Sequence, residues 1–222
     1  INVDFEYIKD ETAKAYVEFI RELSVMCRLN GIVLSVDNYR PADHNKYYNR
    51  KEQGIVADYV IIMGYDEHYA GSEEAGSVAS LSWVKEGIEE TLKEVPAEKV
   101  INAVPFYTRL WEERPKTEEE LALESDTDTS NPVVVTSKAY GMDSIDKILA
   151  ANGASKTWDE ESGQYYAEYT ADGKTYKVWL EEEESIAKKA ELMKQYNLAG
   201  ISAWKLGFER SDIWDIILRY VN

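Results

Sequence analysis

A single cysteine, Cys27, stands among 222 residues, so no disulfide can form within the chain. It lies in an apolar helical pattern, where a lone thiol behaves as a small core residue rather than as a nucleophile. Basic residues are also scarce. Lysine and arginine total 25 against 42 aspartates and glutamates, and the formal net charge of −17 excludes the basic surface that nucleic acid or an anionic membrane requires. The two histidines, His44 and His68, fall in polar segments without a third ligand at metal spacing, so no metal or cofactor is expected. No apolar run approaches the roughly 20 residues that span a bilayer. No signal sequence is visible in a chain whose first residue is not methionine.

Phenylalanine is rare too, with four residues, whereas tyrosine supplies 16 and tryptophan six. Such rings stack on flat ligands while offering a polar edge, although the same rings also fill ordinary cores. The length suits one domain, or one domain with an inserted subdomain. Much of the negative charge sits in two runs, EEEES at 181–185 and EEE at 118–120. Both read as solvated helix starts that complement the helix dipole rather than as binding sites.

INVDFEYI (1–8) reads as a strand and DETAKAYVEFIRELSVMCRLNG (10–31) as a helix. Ala13, Tyr16, Val17, Ile20, Leu23 and Cys27 recur there at helical spacing between a capping Asp10 and Gly31. The pattern repeats. IVLSV (32–36) precedes a polar segment of weak helical character, DYVIIMGY (58–65) precedes SLSWVKEGIEETLKEV (80–95), VINAVPF (100–106) gives a further strand, and AGISAW (199–204) precedes SDIWDIILRYV (211–221). Short apolar strands alternating with amphipathic helices predict parallel strands buried on both faces, hence an α/β domain.

Residues 107–198 separate the last two strands, more than one crossover helix requires. They include EELALESDTDTSNP (119–132), expected to be an exposed excursion, then a short helix, DSIDKILAAN (143–152). Two alternating runs follow, GQYYAEYT (163–170) and KTYKVWL (174–180), joined by ADG. The expected division is 1–106 with 182–222 as the strand–helix part and 107–181 as a small α+β subdomain inserted before the last βα unit.

Side chains alternate across a strand, so Asn2, Asp4 and Glu6 share one face of the first strand while Ile1, Val3 and Phe5 share the other. The apolar face packs on helices. The polar face must line a lumen or cleft, with Glu6 nearest the C-terminal strand end, where parallel α/β folds place active sites. An isolated D-x-E equally describes a structural pair that caps a loop or bonds an arginine. Other strand ends favour the functional reading: Met63 and Tyr65 share a face and Asp66 follows, while Gly200, Ser202 and Trp204 share another, which brings the indole to the rim. Sugar hydrolysis needs such a set, namely an acid, stabilisation of a cationic centre and an apolar platform.

INVDFE resembles the second part of the D-G-x-D-x-D-x-E strand of glycoside hydrolase family 18, the chitinase family. MGYD (63–66) resembles its M-x-Y-D strand, VPFYTRLW (104–111) its G-x-P-x-Y-G strand, and AGISAW its final strand with the tryptophan. WDEESGQYYAEY (158–169) and residues 177–209 are most similar to the bacterial branch of spore-cortex and cell-wall N-acetylglucosaminidases and their clostridial relatives. The resemblance implies a fold: strands four to eight, the C-terminal part, of a (β/α)8 TIM barrel with a small α+β insertion before the last strand. The chain is accordingly expected to be a cut piece lacking the first three strands. Asn2 stands where many chitinases carry the middle aspartate, which removes one carboxylate from the coupled acid network. The cell-wall branch looks similar at this point.

The resemblance also implies chemistry: cleavage of β-linked N-acetylglucosamine glycans, in wall or spore-cortex peptidoglycan or chitin oligomers, by a retaining, substrate-assisted route. Glu6 would protonate the glycosidic oxygen and later activate water. Asp4 would orient the acetamido group and stabilise the oxazolinium, and a carboxylate so close to Glu6 disfavours the ionisation of Glu6 and keeps it a usable acid near neutral pH. Tyr65 would bond the acetamido oxygen, Asp66 would support it, and Trp204 would floor the subsite. Met63, Asn2, Asn38, Tyr107 and Arg109 are further substrate-binding candidates, although packing is the ordinary role of Met63. His68, close behind Asp66, could touch substrate. Trp158, Tyr165, Tyr166 and Trp179 fit a cleft wall and a subdomain core equally well.

The implied partner is an oligo- or polysaccharide containing N-acetylglucosamine, and the implied location is extracellular, cell-wall or spore-associated. Two other classes stay open. One is a lectin-like barrel or catalytically incomplete piece, with self-association through open barrel edges. The other is a metal-assisted barrel enzyme using Asp4, Glu6 and Asp66 as oxygen ligands, a reading that the placement of tryptophan and tyrosine disfavours.

Overall fold

The computed structural model describes residues 1–123 and 132–221, so most of the excursion expected at 119–132 lies outside the described residues. In chain order the first elements are β1 (Asn2–Val3), α1 (Asp10–Leu29), β2 (Ser35–Tyr39), α2 (Arg50–Val56), β3 (Tyr59–Met63), α3 (Leu81–Leu92) and β4 (Val100–Pro105). Then come β5 (Tyr107–Pro115), α4 (Glu118–Leu123), β6 (Val133–Gly141), α5 (Met142–Ala151), β7 (Lys156–Asp159), β8 (Gln164–Ala171) and β9 (Lys174–Leu180). α6 (Glu183–Gln195), β10 (Gly200–Trp204) and α7 (Ile213–Val221) complete the chain.

β1, β2, β3, β4 and β10 lie in that order in one all-parallel sheet, part of a (β/α)8 barrel. Helices cover one face because the strands alternate. Tyr16, Ile20 and Cys27 of α1 pack with Val3, Leu34 and Val36. Val84 and Ile88 of α3 pack with Val60, Ile62 and Val100. Ile213, Ile216 and Ile217 of α7 pack with Val104 and Phe106. Each large apolar side chain removed from water this way contributes roughly 1.5–3 kcal/mol. The intervening residues face the lumen, and the register sets Tyr39, Met63, Ala103 and Ser202 at one level across four strands.

β10 pairs directly with β4, so β5 to β9 with α4 and α5 are inserted between neighbouring strands, ahead of the crossover helix α6. That insertion carries an antiparallel sheet in the order β6-β5-β9-β8-β7. α5 covers one of its faces, where Ile145 and Leu149 meet Leu110, Ala167, Val178 and Leu180. Among the described residues no helix is long and apolar enough to cross a membrane.

Several elements differ from the sequence expectations. β2 begins at Ser35 rather than at residue 32. The Ile32 N–H donates back to the Cys27 carbonyl at 2.9 Å to finish α1, after Gly31 takes φ +65°, and the Leu34 N–H is held by Asp58 Oδ2 at 2.8 Å. β1 pairs over two residues only. Asp10 is the first helical residue instead of the cap, and Lys9 precedes it with its backbone bonded to Thr12 Oγ1. β5, β6 and β7 were not foreseen as strands. Glu181, expected in a solvated run, is fully buried against Lys189, whereas Glu182 caps α6 by accepting the Glu184 and Ser185 N–H groups.

Candidate active site

The C-terminal ends of the parallel strands open into a cleft of about 260 Å³. Asp4 and Glu6 enter from the extended segment after β1, which turns away at Tyr7 with φ +60°. Tyr39 comes from the end of β2, and Met63, Tyr65 and Asp66 come from the end of β3. Tyr107 and Arg109 of β5, Ala139 of β6 and Trp204 of β10 complete the lining. Asp66 adopts φ +64°, a left-handed conformation that aspartate tolerates better than most side chains.

Two phenols hold two carboxylates. Tyr39 Oη donates to Glu6 Oε2 at 2.6 Å, and Tyr107 Oη donates to Asp66 Oδ1 at 2.5 Å. The rings stand edge to face in series, Tyr65 to Tyr107 at 6.2 Å and Tyr107 to Trp204 at 5.6 Å, and the indole is 46% exposed at the rim. Arg109 Nη1 donates to Ser137 Oγ at 3.3 Å while its Nε is shielded from water without a partner.

The loop that carries Asp66 is clamped. The Glu67 carboxylate accepts the Ser80 N–H at 2.7 Å and hydroxyl at 3.0 Å, and Trp111 Nε1 donates to the Gly76 carbonyl at 2.8 Å.

Charge is unevenly distributed over these groups. Asp4 is exposed by area, yet partial burial of its carboxyl and then the charge of Glu6 raise its pKa. Burial pushes the Asp37 carboxyl up to about 6, against the bond from Asn2 and with help from the charge of Asp4. Tyr65, Tyr107 and Tyr39 are all pushed up by burial first, followed by Asp37 for Tyr65, Asp66 for Tyr107 and Glu6 for Tyr39. These phenols are therefore neutral donors at any ordinary pH.

Eight expected residues meet in the cleft: Asp4, Glu6, Met63, Tyr65, Asp66, Tyr107, Arg109 and Trp204. Asn2 does not line it. Its amide nitrogen donates to Asp37 Oδ2 at 2.8 Å and its amide oxygen accepts from Ser35 Oγ at 2.6 Å. Asn38 is a correction. It is buried on the helix face of β2, donating to Gln53 Oε1 at 2.6 Å, because it shares parity with Val36.

His68 is tied to the Ser77 carbonyl at 2.8 Å and packs on the edge of Trp111, outside the lining. None of the four insertion aromatics lines the cleft: Trp158 pairs with Tyr165 and Tyr166 with Trp179. The sequence reading missed Tyr39, Asp37 and Ala139. For the first two a signal existed, since Leu34 and Val36 are apolar and their alternates Ser35, Asp37 and Tyr39 must face the other way.

Parallel strands whose C-terminal ends gather carboxylates, phenols and an indole around one cleft define a protein of the (β/α)-barrel class. The model of glycosyl hydrolases family 18 matches residues 1–209, and the chain belongs to that family. It is 31% identical over 225 residues to the uncharacterized glycosylase YvbX of Bacillus subtilis (strain 168), across 98% of this chain and 60% of that protein. Identity to the cortical fragment-lytic enzyme of the same organism is 28% over 229 residues, across 100% of this chain and 49% of that enzyme. The chain thus spans less than two thirds of either relative. The crystal structure of chitinase from Chromobacterium violaceum ATCC 12472 matches it with a TM-score of 0.84 at 26% identity, over 100% of this chain and 65% of that one.

Proposed function

We propose that this chain carries the catalytic residues of a glycoside hydrolase that cleaves β-linked N-acetylglucosamine glycans of the cell wall or spore cortex, or chitin oligomers, with retention and by substrate assistance. The carrying observation is the arrangement around Glu6: its carboxylate accepts from Tyr39 Oη and shares one cleft with Asp4, Tyr65 and Trp204. In this reading Glu6 gives its proton to the glycosidic oxygen as the substrate's acetamido oxygen attacks the anomeric carbon. Asp4 opposes the positive charge of the resulting oxazolinium. Tyr65, a neutral donor, bonds the acetamido oxygen, Tyr107 holds Asp66 beside it, and Trp204 stacks under the ring. Water activated by Glu6 then opens the intermediate. The relatives, a glycosylase, a cortical fragment-lytic enzyme and a chitinase, support the substrate class and a wall or spore setting. Residues 1–106 with 182–222 would form the barrel unit and 107–181 the inserted unit whose Arg109 and Ala139 wall the cleft.

The test is reducing-end release from chitin oligomers and cortex fragments, with proton NMR of the product before mutarotation. The β-anomer is expected first. An α-anomer, or no release from any of these glycans, sinks the reading.

One observation favours a second reading, glycan binding without cleavage. β1 and β10 end the parallel sheet, and Trp204 on β10 is 46% exposed. Those strand edges would then pair with a second copy. Concentration-dependent dimerisation in sedimentation velocity, with oligomer binding but no release, is the outcome it requires.

A further inference from the structure

Among the described residues Arg109 is the one cation that lines the cleft, where it stands with the carboxyl groups of Asp4, Glu6 and Asp66. Every other charged side chain of β5 is ion-paired: Glu112 with Lys174 at 2.6 Å, Glu113 with Lys177 at 2.7 Å and Arg114 with Glu120 at 2.7 Å. Arg109 has no such partner among the described residues. Its Nη1 donates to the neutral Ser137 Oγ at 3.3 Å, and its Nε is shielded from water with nothing to bond. A shielded donor left bare is costly, and more so on a charged group. The acids of the cleft do not take it up, because Glu6 is held by Tyr39 and Asp66 by Tyr107, both through neutral phenols.

Its position says what would. Arg109 follows Tyr107 by two residues, which sets it roughly 7 Å further along the strand on the same face. Tyr107 is the residue that meets both Asp66 and Trp204, so the guanidinium lies past the reacting ring, beside the next sugar of the glycan. Ala139, opposite Arg109 in the β5–β6 ladder, is too short to cover it. A guanidinium presents a planar fork of N–H donors that fits a carboxylate through two parallel bonds, whereas sugar hydroxyls need no charge to bind. On a chain of net charge −17, an anionic group that enters beside three carboxyl groups is repelled unless a cation meets it.

We propose that Arg109 docks a carboxylate borne by the sugar next to the reacting N-acetylglucosamine, which makes the alternating N-acetylglucosamine–N-acetylmuramic acid strand, and not chitin, the preferred substrate. The placement of the two sugars rests on the hydrolase reading, whereas recognition of a carboxylate by Arg109 does not. Two sources share this chemistry, the lactyl group of the muramic sugar and the peptide joined to it.

Three glycans separate them: the N-acetylglucosamine–N-acetylmuramic acid tetrasaccharide with free lactyl groups, its lactyl methyl ester, and the same tetrasaccharide with alanine on each lactyl group. Wild type is expected to cleave one of the two free acids with kcat/KM about tenfold or more above the neutral ester, and added salt shrinks that preference. The better acid identifies the source. Arg109→Gln brings the acids and the ester to within about twofold of one another, and Arg109→Lys, which keeps the charge without the fork, retains an intermediate preference. Equal cleavage of acids and ester by wild type, a comparison that needs no variant, overturns the proposal, as does a preference that survives in Arg109→Gln. If nothing is cleaved, the hydrolase reading fails alone and titration calorimetry of the same glycans decides. Tighter binding of an acid than of the ester, lost in Arg109→Gln, upholds the docking, and equal or absent binding of all three overturns it.

Discussion

Glu6→Gln is expected to lower kcat on N-acetylglucosamine oligomers by about 10²- to 10⁴-fold while leaving KM nearly unchanged, the range ascribed to a positioned general acid–base. Glutamine preserves the shape and can still accept the bond that Tyr39 Oη gives Glu6 Oε2 at 2.6 Å, so the variant removes the proton and little else. Glu6 is exposed at the cleft, which leaves the core untouched and stability within the usual surface range. Tyr39→Phe is a graded companion: the acid remains but loses its donor, and a cost of roughly tenfold in kcat follows from the loss of one hydrogen bond to a charged group. Steady-state kinetics read both effects, and isothermal titration of the inactive variant separates binding from turnover. A Glu6→Gln protein that keeps a tenth or more of its activity would remove Glu6 from the acid's role.

The strand parity that exposes Glu6 was legible in the sequence, and so were the partners contributed by other strand ends. Alternation along INVDFE, DYVIIMGY and AGISAW put Asp4, Tyr65 and Trp204 on one face of their segments, Asp66 followed at a strand end, and all four line the cleft. β2 was misread for a physical reason. Its apolar run starts at Ile32, but the ladder starts at Ser35, since Asp58, 24 residues further on, takes the Leu34 N–H. A strand placed at 32–36 puts Asn38 in the loop beyond it and hides Asp37 and Tyr39 altogether, whereas a strand at 35–39 turns Asp37 and Tyr39 toward the lumen and Asn38 toward the helices. β5 was hidden for another reason. It continues from β4 past a single residue, and its pairing with β6 and β9 depends on segments distant in sequence. Local pattern sees neither a ladder partner from another hairpin nor a buried charge whose counter-ion comes from a later helix.

That buried charge is where the largest stability effect is expected. Lys189→Met should destabilise the chain by about 3–5 kcal/mol at neutral pH, the usual cost of removing one partner from a buried ion pair. Lys189 and Glu181 have side-chain exposures of 1% and 0%, and the ammonium donates to both carboxylate oxygens at 2.7 and 2.8 Å. Gln164 Nε2 and Ser185 Oγ each add a bond to that carboxylate at 2.8 Å, and Gln164 is in turn bonded by the Ser77 hydroxyl. The knot therefore joins β8 and the end of β9 to α6 and to the loop that follows Asp66, so its loss loosens the insertion against the barrel as well as the local helix.

The pH dependence carries the sign. Burial raises the pKa of Glu181, and Lys189 works against that rise. Without the lysine the folded-state value climbs further above the unfolded one, so the variant is most stable below the unfolded carboxyl value and loses stability as pH rises through the folded one. Its deficit relative to wild type is thus expected to grow from acid to neutral pH. Adding Glu181→Gln to Lys189→Met should recover most of the loss, because the neutral amide keeps hydrogen bonds to Gln164 and Ser185 without a charge to bury. Urea unfolding followed by tryptophan fluorescence at several pH values measures all three proteins. A neutral-pH loss under about 1 kcal/mol, or a deficit that shrinks as pH rises, would mean that water reaches this pair and that its geometry does not hold the two sheets together.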